Sequence, residues 1–127
     1  MPDVLLIVDD RQSESTSLGA FAALGIVPVR LPLENFDPEI LLAELFDLIV
    51  FELFGETRSC VAILQQLEKL AATSGIDHPP IIVITGNATN TIEQALRTAK
   101  VNFLLQRPLD QEDLISAIRQ ALHHLCR

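Results

Sequence analysis

Tryptophan and tyrosine are absent from this sequence, and six phenylalanines are its whole aromatic content. A flavin would therefore have to stack on phenylalanine alone. Basic residues are also few: nine Lys and Arg stand against seventeen Asp and Glu, for a formal net charge of -8. Phosphate backbones and anionic lipid surfaces are bound by clustered cations, so neither nucleic acid nor a membrane is expected as a partner. No apolar run approaches the ~18 residues a membrane span requires. The opening Met1-Pro2-Asp3-Val4 has neither the basic start nor the apolar stretch of a secretory leader. The two cysteines, Cys60 and Cys126, fit no metal or redox spacing. At helical core or near-core positions they read as reduced thiols, which points to the cytoplasm. Asn87-Ala88-Thr89 spells a glycosylation acceptor, which without a leader is read as chance.

What is present is apolar and ordered. Hydrophobic residues make up 49% of the 127 positions against 20% charged, the composition of one globular domain over residues 1–127. There is no internal repeat, linker or low-complexity stretch. Short apolar, β-branched runs at 4–8, 26–31, 47–52, 81–85 and 103–106 read as strands, with Pro28 placing the second near a sheet edge. Between them fall helical patterns. The first is capped by Ser13 or Ser15, carries Leu18, Phe21, Ala22 and Gly25 on its inner side, and is closed by Gly25. The second starts at Asp37-Pro38 and runs over 40–46. The third shows Cys60, Ile63, Leu64, Leu67, Leu70 and Ala71 on one stripe. The fourth is marked by Ile92, Ala95, Leu96 and Ala99. The last is capped by Asp110, with Leu114, Ala117, Ile118, Ala121, Leu122 and Leu125 inward. Strands alternating with helices imply an α/β fold, a doubly wound sheet of about five parallel strands with helices on both faces.

In such a sheet the carboxyl ends of all strands share one edge. Asp9, Asp10, Glu52, Thr85 and the Arg107-Pro108 pair then approach one rim. Two carboxylates ~4 Å apart repel by about 4 kcal/mol at an effective dielectric near 20, so the cluster calls for a cation, a proton or a close arginine. Mg2+ would suit Asp9 and Asp10, since it takes one or two carboxylates plus water and phosphate oxygens. Plainer readings stand beside these. Asp9-Asp10 would serve as a solvated turn or cap, Thr85 as a helix cap, and Arg107 as a surface residue flanking a turn. His123 and His124, adjacent on a helix, do not converge on one ion. The serines and Thr16 after the first strand suggest a phosphate loop, but Asp9, Asp10 and Glu14 would repel a phosphate.

Four stretches, Val4 to Asp10 (VLLIVDD), DLIVFE, IIVITG and FLLQRPLD, resemble the strand motifs of the receiver domains of two-component response regulators, in the family's order. The resemblance covers essentially the whole chain and implies a flavodoxin-like fold of receiver topology. It implies metal ligands at Asp9 and Asp10, a phosphoryl contact at Thr85, and a Pro108 that is cis. It also implies a phosphoaccepting aspartate and a lysine at the two positions held here by Glu52 and Arg107. Glutamate carries its carboxylate ~1.5 Å further out, and in-line phosphoryl transfer depends on position. Arginine forks onto carboxylates, so a Glu52–Arg107 ion pair is expected to fill the site without phosphate or metal. The family's methionine-proline and glycine after the acceptor are missing from Leu53-Phe54-Gly55-Glu56-Thr57-Arg58-Ser59-Cys60, and Leu104 replaces its switch aromatic.

The expectation is therefore a non-enzymatic, degenerate receiver that signals by protein–protein contact and requires no cofactor. Its partner would be a histidine kinase or a downstream output protein, with a homodimer through residues 90–127. As no output domain follows the last helix, a separate protein would read this face, or the chain is a piece of a longer one. A working receiver in a Mg2+-dependent phosphorelay is the alternative, and a flavodoxin-like cofactor binder a remote one.

Overall fold

The computed structural model describes residues 3–9, 17–33, 36–37, 46–54, 58–75, 79–86, 94, 97–98, 101–107 and 110–123, with backbone alone at 58–60, 71 and 74. Three of its strands, β1 (Val4–Val8), β3 (Leu48–Glu52) and β4 (Ile81–Thr85), are buried at every residue. That is why they read as unbroken apolar runs: a strand covered on both faces has no solvent side on which to alternate. Their flanks are β2 (Val29–Pro32) and β5 (Phe103–Gln106), giving a five-stranded parallel sheet in the order β2-β1-β3-β4-β5.

Successive side chains on a strand point to opposite faces. Leu5, Ile7, Ile49, Phe51 and Val83 pack on one side against Leu64 and Leu67 of α2 (Arg58–Ser74). On the other side Leu6, Val50, Ile82 and Ile84 pack against Phe21 of α1 (Leu18–Ala23) and Leu114, Ala117, Ile118 and Ala121 of α3 (Gln111–His123). Helices thus cover both faces of the sheet.

The helix ends follow local chemistry. Asp110 caps α3, its Oδ1 accepting from the Glu112 N–H at 2.8 Å and its carbonyl from the Leu114 N–H at 3.1 Å. Helix α1 closes in a Schellman turn: Ile26 N–H donates to the Phe21 carbonyl at 2.9 Å and Gly25 N–H to that of Ala22 at 3.1 Å, with Gly25 at φ 71°. This turn uses up Ile26, so β2 begins at Val29 instead of 26 and runs on to Pro32. Its edge position agrees with Pro28. Helix α1 starts at Leu18, which turns Ala20 and Phe21 inward and leaves Ala22 and Gly25 exposed, correcting the expected stripe.

On α2 Ile63 and Leu70 are half-buried, as is Leu122 on α3. The expected caps Ser13 and Ser15, the helix over 40–46, Leu125 and most of the fourth helix lie outside the described residues. From that helix Gln94, Arg97 and Thr98 have helical backbone, and the Thr98 hydroxyl donates to the Gln94 carbonyl at 2.9 Å. No helix among the described residues is long and apolar enough to cross a membrane.

Candidate functional site

Register sets the rim. Val8 lies beside Glu52, Glu52 beside Ile84, and Thr85 beside Gln106, so the next residues of β1, β3 and β5 leave the sheet along one edge. Asp9, Glu52, Thr85 and Arg107 are all brought there. Asp10 and Pro108 lie outside the described residues.

Glu52 occupies the same face of β3 as Leu48 and Val50, the face covered by α1 and α3. Its side chain is 0% exposed. Burying a carboxylate is costly unless hydrogen bonds replace the lost water. Here Ser17, also 0% exposed, supplies two donors: its N–H lies 3.0 Å from Oε1 and its hydroxyl 3.2 Å from Oε2. Ser17 is the N-cap residue of α1, yet its hydroxyl makes no cap bond to that helix. Glu52 has taken the hydroxyl instead, and the extra methylene of glutamate is what reaches from the strand end to the helix start.

The expected Glu52–Arg107 ion pair does not form. Arg107 extends toward the exit of β3, where Nη1 donates to the Leu53 carbonyl and the guanidinium carbon sits 4.0 Å from the centroid of the Phe54 ring. Such stacking contributes about 0.5–1 kcal/mol at a partly exposed site. Nε and Nη2 are buried and have no hydrogen-bond partner among the described residues. These two donors form one edge of the guanidinium fork, the edge that takes a two-oxygen anion side-on. The geometry explains why the pair is missing: the Glu52 carboxylate is drawn to α1, and the ring of Phe54 holds Arg107 at the loop.

The rest of the rim is laced through the same short exit. Phe54 N–H donates to Asp9 Oδ1 at 2.8 Å, and Leu53 N–H to the Ile84 carbonyl at 2.8 Å. Arg107 N–H donates to the Thr85 carbonyl at 3.0 Å, while the Thr85 side chain is fully buried. Residues 53–54 are thereby tied to β1 on one side and to β4 and the end of β5 on the other.

Sequence reasoning named Ser17 only among the hydroxyls of a phosphate-like loop and gave Phe54 no role. A serine followed by an apolar helical stripe is a visible cap signal, but it says nothing about a partner 35 positions away. Phe54 carried no signal beyond following the acidic strand end.

The same contacts bear on Mg2+, the ion this fold family implies. It takes one or two carboxylate oxygens at ~2.0–2.1 Å and fills its near-octahedral shell with water and phosphate oxygens. Glu52 turns both oxygens to Ser17, and Asp9 has given Oδ1 to a backbone N–H. Among the described residues no three acidic, histidine or cysteine groups are placed to hold a metal. Glu52 is thus turned away from the ion's place beside Asp9, while Asp10 lies outside the described residues.

No protein-family model and no curated protein matches this sequence. Solved structures do match in shape. A CheY-like response regulator receiver domain protein from Methanospirillum hungatei superposes with a TM-score of 0.72 at 19% identity, over 98% of this chain and 96% of that one. A response regulator receiver protein from Pseudomonas putida gives 0.72 at 17% identity, over 94% and 96%. A signal receiver domain of a two-component histidine kinase from Clostridium thermocellum gives 0.70 at 17%, over 95% and 97%. The chain has the receiver fold, a flavodoxin-like doubly wound sheet, over nearly its full length.

Proposed function

We propose that the chain is a degenerate receiver: a non-enzymatic signalling module that acts by protein contact and is not phosphorylated at Glu52. One observation carries this reading. The side chain at the acceptor position is buried, and both of its oxygens are engaged by Ser17. A phosphoryl acceptor must present a free oxygen in line with the leaving group, and this one faces the start of α1. The module would work in the cytoplasm without a cofactor. Its partner would be a histidine kinase or an output protein, and residues 90–127 would provide the pairing face for a homodimer. Colour in the purified protein would instead point to a flavin-binding relative of the fold.

The unpartnered edge of Arg107 favours a second reading, a working acceptor in a Mg2+-dependent relay whose phosphoryl group the guanidinium would receive. Incubation with Mg2+ and a small acyl phosphate, followed by intact-mass measurement, separates the two. No adduct is expected. A stoichiometric adduct on Glu52, stable in acid and labile in base, would establish the second reading instead.

A further inference from the structure

We infer that the Glu52–Ser17 contact is a built-in clamp that takes the place of a divalent cation as the partner of Glu52: it fastens the start of α1 to the end of β3 and holds Glu52 out of any metal shell at the rim. The inference rests on the proposed reading of the site and deepens it. It starts from the two donors that hold Glu52 and the direction in which they turn it.

Carboxylates brought to one rim must be stabilised where water is excluded. At Glu52 and Asp9 backbone and hydroxyl donors contribute to that. Ser17 N–H and O–H serve Oε1 and Oε2 of Glu52, and Phe54 N–H serves Oδ1 of Asp9. Each bond also joins two elements: α1 to β3 in the first case, the exit of β3 to β1 in the second. Drawing Glu52 into a Mg2+ shell would require it to give up Ser17 donors in a fully buried position. Mg2+ keeps several waters and takes only one or two carboxylates, so nothing compels that exchange.

Side-chain length sets which state the rim adopts. Aspartate at position 52 would draw the carboxylate back by ~1.5 Å. From bonds of 3.0 and 3.2 Å that withdrawal puts Ser17 outside hydrogen-bond range. The freed oxygens would then stand at the strand end beside Asp9. A single methylene therefore separates a clamped carboxylate at position 52 from one able to join a cation's shell.

The test is thermal unfolding of the full chain, followed by far-UV circular dichroism, in millimolar MgCl2 and in NaCl of matched ionic strength. Any ligand that binds only the folded state raises the midpoint. The wild type should show the smallest Mg2+-specific rise. Glu52→Asp should show a rise several degrees larger, and the excess should disappear in Asp9→Asn/Glu52→Asp. Ser17→Ala, which removes the hydroxyl bond to Oε2, is the second variant and should fall between the two. A wild-type rise as large as that of Glu52→Asp overturns the inference, as does a pair of folded variants no more responsive than the wild type. The outcomes are independent of the acyl phosphate experiment. An adduct on Glu52 refutes the phosphorylation-free reading, whereas a wild-type Mg2+ response equal to that of Glu52→Asp refutes the clamp.

Discussion

The Glu52→Ala substitution probes the energetics of the clamp most directly. Hydrogen bonds to charged groups contribute roughly 1.5–3 kcal/mol each. At 3.0 and 3.2 Å the two Ser17 bonds fall toward the lower end, together about 3 kcal/mol. Truncation also strands two buried donors and leaves a small cavity, while it removes a buried charge that was itself costly. The net expectation is a loss of about 3 kcal/mol. Ser17→Ala gives up the 3.2 Å hydroxyl bond while the N–H bond stays, and should cost about 1.5 kcal/mol. Glu52→Gln keeps an acceptor for the Ser17 N–H, and the hydroxyl can accept from the new amide, so about 1 kcal/mol is expected. For 127 residues about 4 °C of Tm accompanies each kcal/mol, which puts Glu52→Ala about 12 °C below the wild type. With no Trp or Tyr for fluorescence, urea and thermal unfolding are followed by circular dichroism at 222 nm. The Glu52→Ala/Ser17→Ala cycle should return a coupling of about 1 kcal/mol or more. Additive single losses, or a Glu52→Ala cost under about 0.5 kcal/mol as at an ordinary surface position, would refute the clamp as a stabilising contact.

Other substitutions test different parts of the structure. Arg107→Met gives up the Leu53 hydrogen bond and the Phe54 stack but also removes two unpartnered buried donors; these effects offset, so urea midpoints should place it within about 1 kcal/mol of the wild type. Gly19 is exposed in α1, and an added Cβ would meet only the Gln111 side chain at 3.7 Å or beyond. Gly19→Ala should therefore stabilise the chain by about 0.5 kcal/mol through helix propensity. At Gly25 space is open but φ is +71°, so Gly25→Ala should cost about 1 kcal/mol by the same measurement.

What the sequence determined by itself is the frame. Unbroken, β-branched apolar runs at 4–8, 47–52 and 81–85 read as strands covered on both faces, the structure has them at 4–8, 48–52 and 81–85, and the helical stripes between them supply the covers. Parallel pairing then carries Asp9, Glu52, Thr85 and Arg107 to one edge, whatever their partners. Even the boundary errors were local, as where the turn at Gly25 and Ile26 delays β2 to Val29. The choice of partners was not legible. Charge alone paired Glu52 with Arg107, because in sequence a carboxylate and a guanidinium at one rim look complementary. Tertiary structure gave Glu52 to Ser17, since the strand's alternation points it beneath α1, where a buried carboxylate must find donors. It gave Arg107 to Phe54 and the Leu53 carbonyl, since the exit of β3 passes under that side chain. Periodicity fixes which face a residue occupies; only the packed elements fix how far away, and in what direction, the nearest hydrogen-bonding group stands.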